Sequence, residues 1–196
     1  MRPAGNALLL LLAISSALLP LASPHAVPDG GRPPRPTGPR KPHLPPVDPR
    51  VIPFCNQTDH PKVCINSARF YSHKYPALNA TNMFDIMIHA LRDRVGVVKA
   101  RAHALSKSQT WNKNVLDGIG DCLAFYDEAL DDVNEGVRAF ATRDQGTFET
   151  RLSSVITMFS TCDDAFMESL NPLAKQNGRL MNMASNCIAI GQLSFK

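Results

Sequence analysis

From Phe84 the apolar residues recur at alternating steps of four and three, through Ile88, Leu91, Val95, Val98 and Ala102 to Leu105. That spacing keeps one side of a helix apolar and predicts a seam of the coiled-coil kind. The same rhythm returns at Leu116, Ile119, Leu123, Tyr126, Leu130, Val133, Val137 and Phe140, and again at Phe148, Leu152, Val155, Phe159, Cys162 and Phe166. A fourth, less regular run reads Leu173, Leu180, Met183, Cys187 and Ile190. No useful length alternates with the period of a strand. Polar breaks fall at 106–114 and 141–146, and Asn171-Pro172 reads as an N-cap followed by proline at the first helical position. Connections this short force successive helices to run antiparallel. The expected fold is all-α, an up-down-up-down four-helix bundle over 82–195, preceded at 51–75 by a small disulfide-linked helical hairpin.

Upstream of this domain (51–196) the pattern changes character. Residues 1–23 carry Arg2, an apolar core and small residues at Ala22 and Ser23, the layout of a secretory signal too short to span a bilayer comfortably. Residues 24–50 hold most of the 16 prolines and read as an extended, basic linker, with Arg32, Arg35, Arg40, Lys41 and Arg50 against Asp29 and Asp48. The formal charge of the whole chain is +4, and these N-terminal residues account for it. From Val51 onward the signs balance, so the domain lacks the basic field of a nucleic-acid binder. The expected product is a secreted protein of the extracellular space, apoplast or cell wall, free of the membrane once the signal is removed. Its tail is either a spacer or an electrostatic contact to an acidic extracellular polymer.

Secretion permits disulfides, and antiparallel helices restrict which of the 5 cysteines can meet. Cys122 and Cys162 lie at similar distances on either side of the break near Asp144, whereas Cys187 falls about 10 Å along the axis from Cys162. A bridge needs Cα atoms within about 7 Å. Cys122–Cys162 and, in the hairpin, Cys55–Cys64 are therefore expected, with Cys187 left as a buried thiol. Loop entropy assigns these bridges about 3.9 and about 2.7 kcal/mol. Asn56 and Asn79 open N-glycosylation sequons, and Asn79 is expected in a polar loop.

No catalytic constellation is legible. Glu-x-x-His pairs, a Gly-x-Ser-x-Gly elbow and a phosphate-cradling glycine loop are all missing from the sequence, and no cofactor or metal is expected. One surface does stand out. Asp117, Asp121, Glu128, Asp132 and Glu135 form a stripe on the second bundle helix, placed roughly 150° from its leucine seam at 100° per residue. It reads either as a solvated face or as an acidic ridge for a partner.

Several stretches resemble the plant invertase and pectin methylesterase inhibitor family. Ile52-x-x-Cys55-x-x-Thr58-x-x-Pro61-x-x-Cys64 is similar to its opening hairpin, and Asp121-Cys122-x-x-x-Tyr126-x-x-Ala129 to its second bundle helix. Leu152-Ser153-Ser154-Val155-Ile156-Thr157 with Thr161-Cys162 resembles the third, and Ser185-Asn186-x-Ile188-Ala189-Ile190 the last. The resemblance implies a non-catalytic inhibitor of a cell-wall carbohydrate enzyme that docks over the enzyme's substrate cleft. Invertase inhibitors carry a Pro-Lys-Phe loop between the second and third bundle helices, where this chain reads Gln145-Gly146-Thr147. The expected partner is accordingly pectin methylesterase, with acid invertase as the alternative and an apolar-ligand carrier as a more remote one. Asp121, Glu128, Asp132 and Thr157 are the candidate contacts, and the basic tail is a candidate contact to pectin.

Overall fold

A computed structural model describes residues 44–167 and 169–196. The signal-like segment and the linker as far as His43 lie outside the described residues. Two short helices come first, α1 (Ile52–Cys55) and α2 (Pro61–Ala68), followed by α3 (Ala80–Ser106), α4 (Lys113–Ala141), α5 (Gln145–Asp164) and α6 (Ala174–Gln192). Among the described residues there is no strand. Helix α3 packs on α4 and α6, and α5 packs on the same two, so α3–α6 form the four corners of a bundle. Helix α2 lies across α3 and α6.

Three of the four bundle helices start with the same device. The side chains of Asn79, Asn112 and Asp144 accept from the backbone N–H groups of Asn82, Val115 and Thr147, caps worth about 1 kcal/mol each. Asn79 is thus the exposed last residue of the loop before α3, as expected, and it also caps the helix's first turn. Helix α6 departs from the expected start. Asn171 bends the chain by accepting from the Leu173 N–H at 2.7 Å, while its amide is drawn to Asp163, also at 2.7 Å, and the helix begins only at Ala174.

Between α4 and α5 the chain turns in three residues. Arg143 takes a positive φ of 62°, and the N–H groups of Arg143 and Asp144 return to the carbonyls of Phe140 and Ala139, closing a Schellman motif. Gln145–Thr147 is consequently the exposed first turn of α5, not a loop, and the Gln145 amide is held by Glu149 at 2.9 Å.

The seams of α3, α5 and α6 are buried as the spacing predicts. Phe148, Leu152, Val155, Phe159 and Cys162 have no exposed area, and neither do Leu180, Cys187 and Ile190. Each such large side chain contributes about 1.5–3 kcal/mol. Helix α4 differs. Leu116, Leu123, Leu130 and Val137 are only half-buried, whereas Val115, Gly118, Cys122, Ala129 and Gly136 face inward. Ile119, Tyr126 and Val133 keep the burial that the spacing predicts, but the buried face is centred about 100° from the line of half-buried leucines, counted at 100° per residue. The cause is close approach: a Cβ on Gly118 would sit 3.0 Å from the Phe166 ring, and one on Gly136 would sit 3.1 Å from Leu152. Small residues let α5 come near, and hydrophobicity alone does not mark them.

Cys55–Cys64 joins α1 to α2 with Cα atoms 5.4 Å apart, and Cys122–Cys162 joins α4 to α5 with Cα atoms 4.7 Å apart. Cys187 is a fully buried thiol, and burial pushes its pKa far above the ordinary range. A thiol held protonated is a poor nucleophile. The boundary with the linker also shifts. Asp48 caps a short 3-10 turn over Pro49–Val51, and the Arg50 guanidinium reaches the carbonyls of Tyr75 and Pro76 at 3.2 and 2.7 Å. Arg50 is therefore part of the domain and not a free cation of the tail.

Candidate functional site

Counting along α4 and α5 sets the candidate surface. The Cys122–Cys162 bridge, the Asp132–Ser154 hydrogen bond and the Glu135–Arg151 pair define one antiparallel register. It places Glu128 level with Thr157 and Asp121 level with the end of α5.

The four candidate residues do not behave alike. Asp121 and Glu128 are exposed, and neither carboxylate has a hydrogen-bond or ion-pair partner among the described residues. Thr157 is exposed on α5, where its hydroxyl donates to the Ser153 carbonyl at 3.3 Å. Asp132 is different, with its side chain only 13% exposed. It accepts from Arg151 at 3.1 Å and from the Ser154 hydroxyl at 2.5 Å. Glu135 takes the Nε of the same arginine at 2.7 Å. Arg151 explains this split: it is the one basic residue of α5, and it stands level with Asp132 and Glu135 and binds both, whereas α5 offers no cation level with Glu128 or Asp121. Asp117, the first member of the stripe, is paired with Lys113 at 2.5 Å. What remains free is Glu128, level with Thr157, and Asp121, level with the end of α5, along a face on which α5 presents the hydroxyls of Thr150, Ser153 and Thr157 and little charge.

At one end of this face Asp117 and Asp121 border a surface cleft of about 480 Å³ with Phe166 and Met167. Met167 is 90% exposed on a backbone of φ 50°, and nearby Leu170 is 67% exposed. Apolar side chains displayed next to the unpaired carboxylate of Asp121 suit a protein partner better than water.

Beneath the surface, a polar network ties the helices together. The buried Tyr126 hydroxyl donates to Asn177 Oδ1 at 2.6 Å, and the Asn177 amide donates to Asp163 at 2.6 Å. Burial, and secondarily the Asp163 carboxylate, push the Tyr126 phenol well above its ordinary pKa. This network and the Arg151 bridge were not among the expected site residues. Tyr126 lies on a heptad seam, where spacing marks it as apolar filling, and Arg151 carries no signal of its own in the sequence. No cluster of His, Cys, Asp and Glu suited to a metal occurs among the described residues.

Residues 51–190 match the family model described as plant invertase/pectin methylesterase inhibitor. An Arabidopsis thaliana protein named probable pectinesterase/pectinesterase inhibitor 17 is 26% identical over 149 residues, 72% of this chain and 28% of its own length. A putative invertase inhibitor from Platanus acerifolia is 26% identical over 78 residues, 38% of this chain and 44% of its own. The chain thus spans less than half the length of either relative. Two solved structures of a pectin methylesterase inhibitor from Arabidopsis share the fold. One is a mutant form with a TM-score of 0.58 and 15% identity, covering 71% of this chain and 93% of that one. The other has a TM-score of 0.53 and 14% identity over 72% and 93%. A family match over nearly the whole folded domain, on a bundle of this kind, makes the chain a member of the plant invertase/pectin methylesterase inhibitor family.

Proposed function

We propose that this inhibitor acts on pectin methylesterase in preference to invertase, by laying the α4–α5 face across the enzyme's substrate cleft. The observation that carries the choice is the exposed first turn of α5. Gln145-Gly146-Thr147 supplies neither the proline nor the lysine-phenylalanine pair of an invertase wedge, and Gln145 is already engaged by Glu149. A rigid bundle crossed by a disulfide loses little entropy on docking, which favours tight blockade of a preformed cleft. Inhibition assays against a pectin methylesterase and an acid invertase test the reading. Stronger inhibition of the methylesterase is expected, and equal or stronger inhibition of the invertase would overturn it.

Secretion, glycans at the exposed Asn56 and Asn79, and a tail that contacts pectin belong to the same proposal. At Asn79 the helix cap uses only Oδ1, so Nδ2 is available for attachment. Because Arg50 is docked on the domain, the tail's cations are Arg32, Arg35, Arg40 and Lys41. Removing 24–43 should lower retention on de-esterified pectin at low salt and leave inhibition in dilute solution unchanged. Equal retention of both forms would make the tail a spacer.

A further inference from the structure

On the side of the bundle formed by α2, α3 and α6, away from the α4–α5 face, three arginines converge. Arg69 ends α2, Arg94 lies on α3 and Arg179 on α6. None of them joins an ion pair among the described residues. The Nε groups of Arg69 and Arg94 are buried without a hydrogen-bond partner, and so is the hydroxyl of Ser67, a residue only 5% exposed. Two adjoining clefts of about 230 and about 390 Å³ share Asn66, Phe70, Arg94 and Arg179, and Ser67 lines the smaller. Phe70 lies at their junction and is 44% exposed. Asp93, the acid that lines the smaller cleft, accepts the hydroxyl of Tyr71.

Like charges held together, with donors withdrawn from water, oppose folding unless an anion completes them. Arg94 and Arg179 are near enough that, after burial, the charge of Arg179 is the second cause lowering the Arg94 pKa. Guanidinium groups bind carboxylates with paired, directional hydrogen bonds. An exposed aromatic face, a side-chain amide and a buried hydroxyl beside them suit a polyhydroxylated ring better than a peptide carboxylate, which needs the cations alone.

We infer that this pocket binds the carboxylate of an anionic sugar, with Arg94 and Arg179 on the carboxylate and Phe70 against the ring. The substrate class rests on the function proposed above, since removal of methyl esters from pectin liberates such uronates. The pocket and the α4–α5 face lie on different sides of the bundle, so an inhibitor could hold the enzyme and its product polymer together.

The test uses the full chain, labelled with ¹⁵N, titrated with tri-galacturonate and with its fully methyl-esterified counterpart. The Nε–H resonances of Arg69 and Arg94 should move with the acid and not with the ester. Arg94→Gln combined with Arg179→Gln should weaken binding at least about tenfold while leaving pectin methylesterase inhibition unchanged. Neither change removes an ion-pair partner, and the single Arg179→Gln variant, on an exposed residue, repeats the test if the double variant folds poorly. Static Nε–H resonances at millimolar trimer, or undiminished binding by the folded variants, would overturn the inference. So would tighter binding of a hexaglutamate peptide at the same resonances, which would make the pocket a receptor for protein carboxylates. Trimer binding by a chain that inhibits no methylesterase would defeat the proposed function and leave the pocket standing. Inhibition without trimer binding would do the reverse.

Discussion

Replacing Gly191 with alanine should destabilise the domain even though alanine is the better helix former. The glycine lies in the last turn of α6, and a Cβ there would fall 2.3 Å from Cζ and 2.9 Å from Cε2 of Phe148. The ring has no space to retreat. Phe148 has no exposed area, and the rings of Phe84, Phe140 and Phe195 surround it at 5.5, 5.7 and 5.3 Å. Overpacking of this kind costs about 1–3 kcal/mol. The propensity gain of at most about 1 kcal/mol is smaller in a fraying final turn. A net loss near 2 kcal/mol corresponds to a fall in Tm of about 4–8 °C for a domain of this size. Gly178→Ala in the same helix is the control, because a Cβ there meets nothing within 4 Å. It should gain about 0.5–1 kcal/mol. Urea unfolding of both variants, with unchanged m-values, measures the difference. If Gly191→Ala matches or exceeds the parent in stability, α6 does not sit against the Phe148 ring and the packing described here is wrong. Adding Phe148→Leu to Gly191→Ala should restore part of the loss beyond additivity.

Other outcomes follow from the same geometry. Asp121→Asn with Glu128→Gln should weaken methylesterase inhibition, chiefly through a slower and less salt-sensitive association, with no change in unfolding; unchanged inhibition at low salt would leave them as solvated charges. Asp132→Ala should instead lower stability by about 1–3 kcal/mol, because Arg151 and Ser154 both lose a charged acceptor, and unfolding at the parent's urea midpoint would show that this bridge does not hold α4 to α5. Tyr126→Phe leaves Asn177 Oδ1 without its donor and should cost about 1–3 kcal/mol at neutral pH. The raised phenol pKa of Tyr126 contributes stability that is fully present below about 10 and is lost as pH climbs beyond it, so Tyr126→Phe should flatten the alkaline limb of the stability profile; a limb of unchanged steepness refutes the assignment. Tyr71 and Tyr75, pushed up to about 12, add to the same limb: burial leads for Tyr71, the Asp85 hydrogen bond for Tyr75.

Helical periodicity is a local property. The order and approximate span of α3–α6 can therefore be read from spacing alone, as can the level at which Cys122 meets Cys162 along two antiparallel rods. The family resemblance rests on the same local stretches. Nothing local told that Asn171 would be captured by Asp163 and delay α6, or that Arg50 would reach Tyr75 and Pro76. The face of α4 follows the spacing at Ile119, Tyr126 and Val133 but not at its leucines, for a related reason. Gly118, Ala129 and Gly136 have little hydrophobicity to show, and their value lies in how near α5 can come. Arg151, the one cation of α5, separates Asp132, which holds two helices together, from Asp121 and Glu128, which remain free. The convergence of Arg69, Arg94 and Arg179 is likewise a product of packing: three helices far apart in the chain bring their charges to one pocket, and only their folded positions make a site of it.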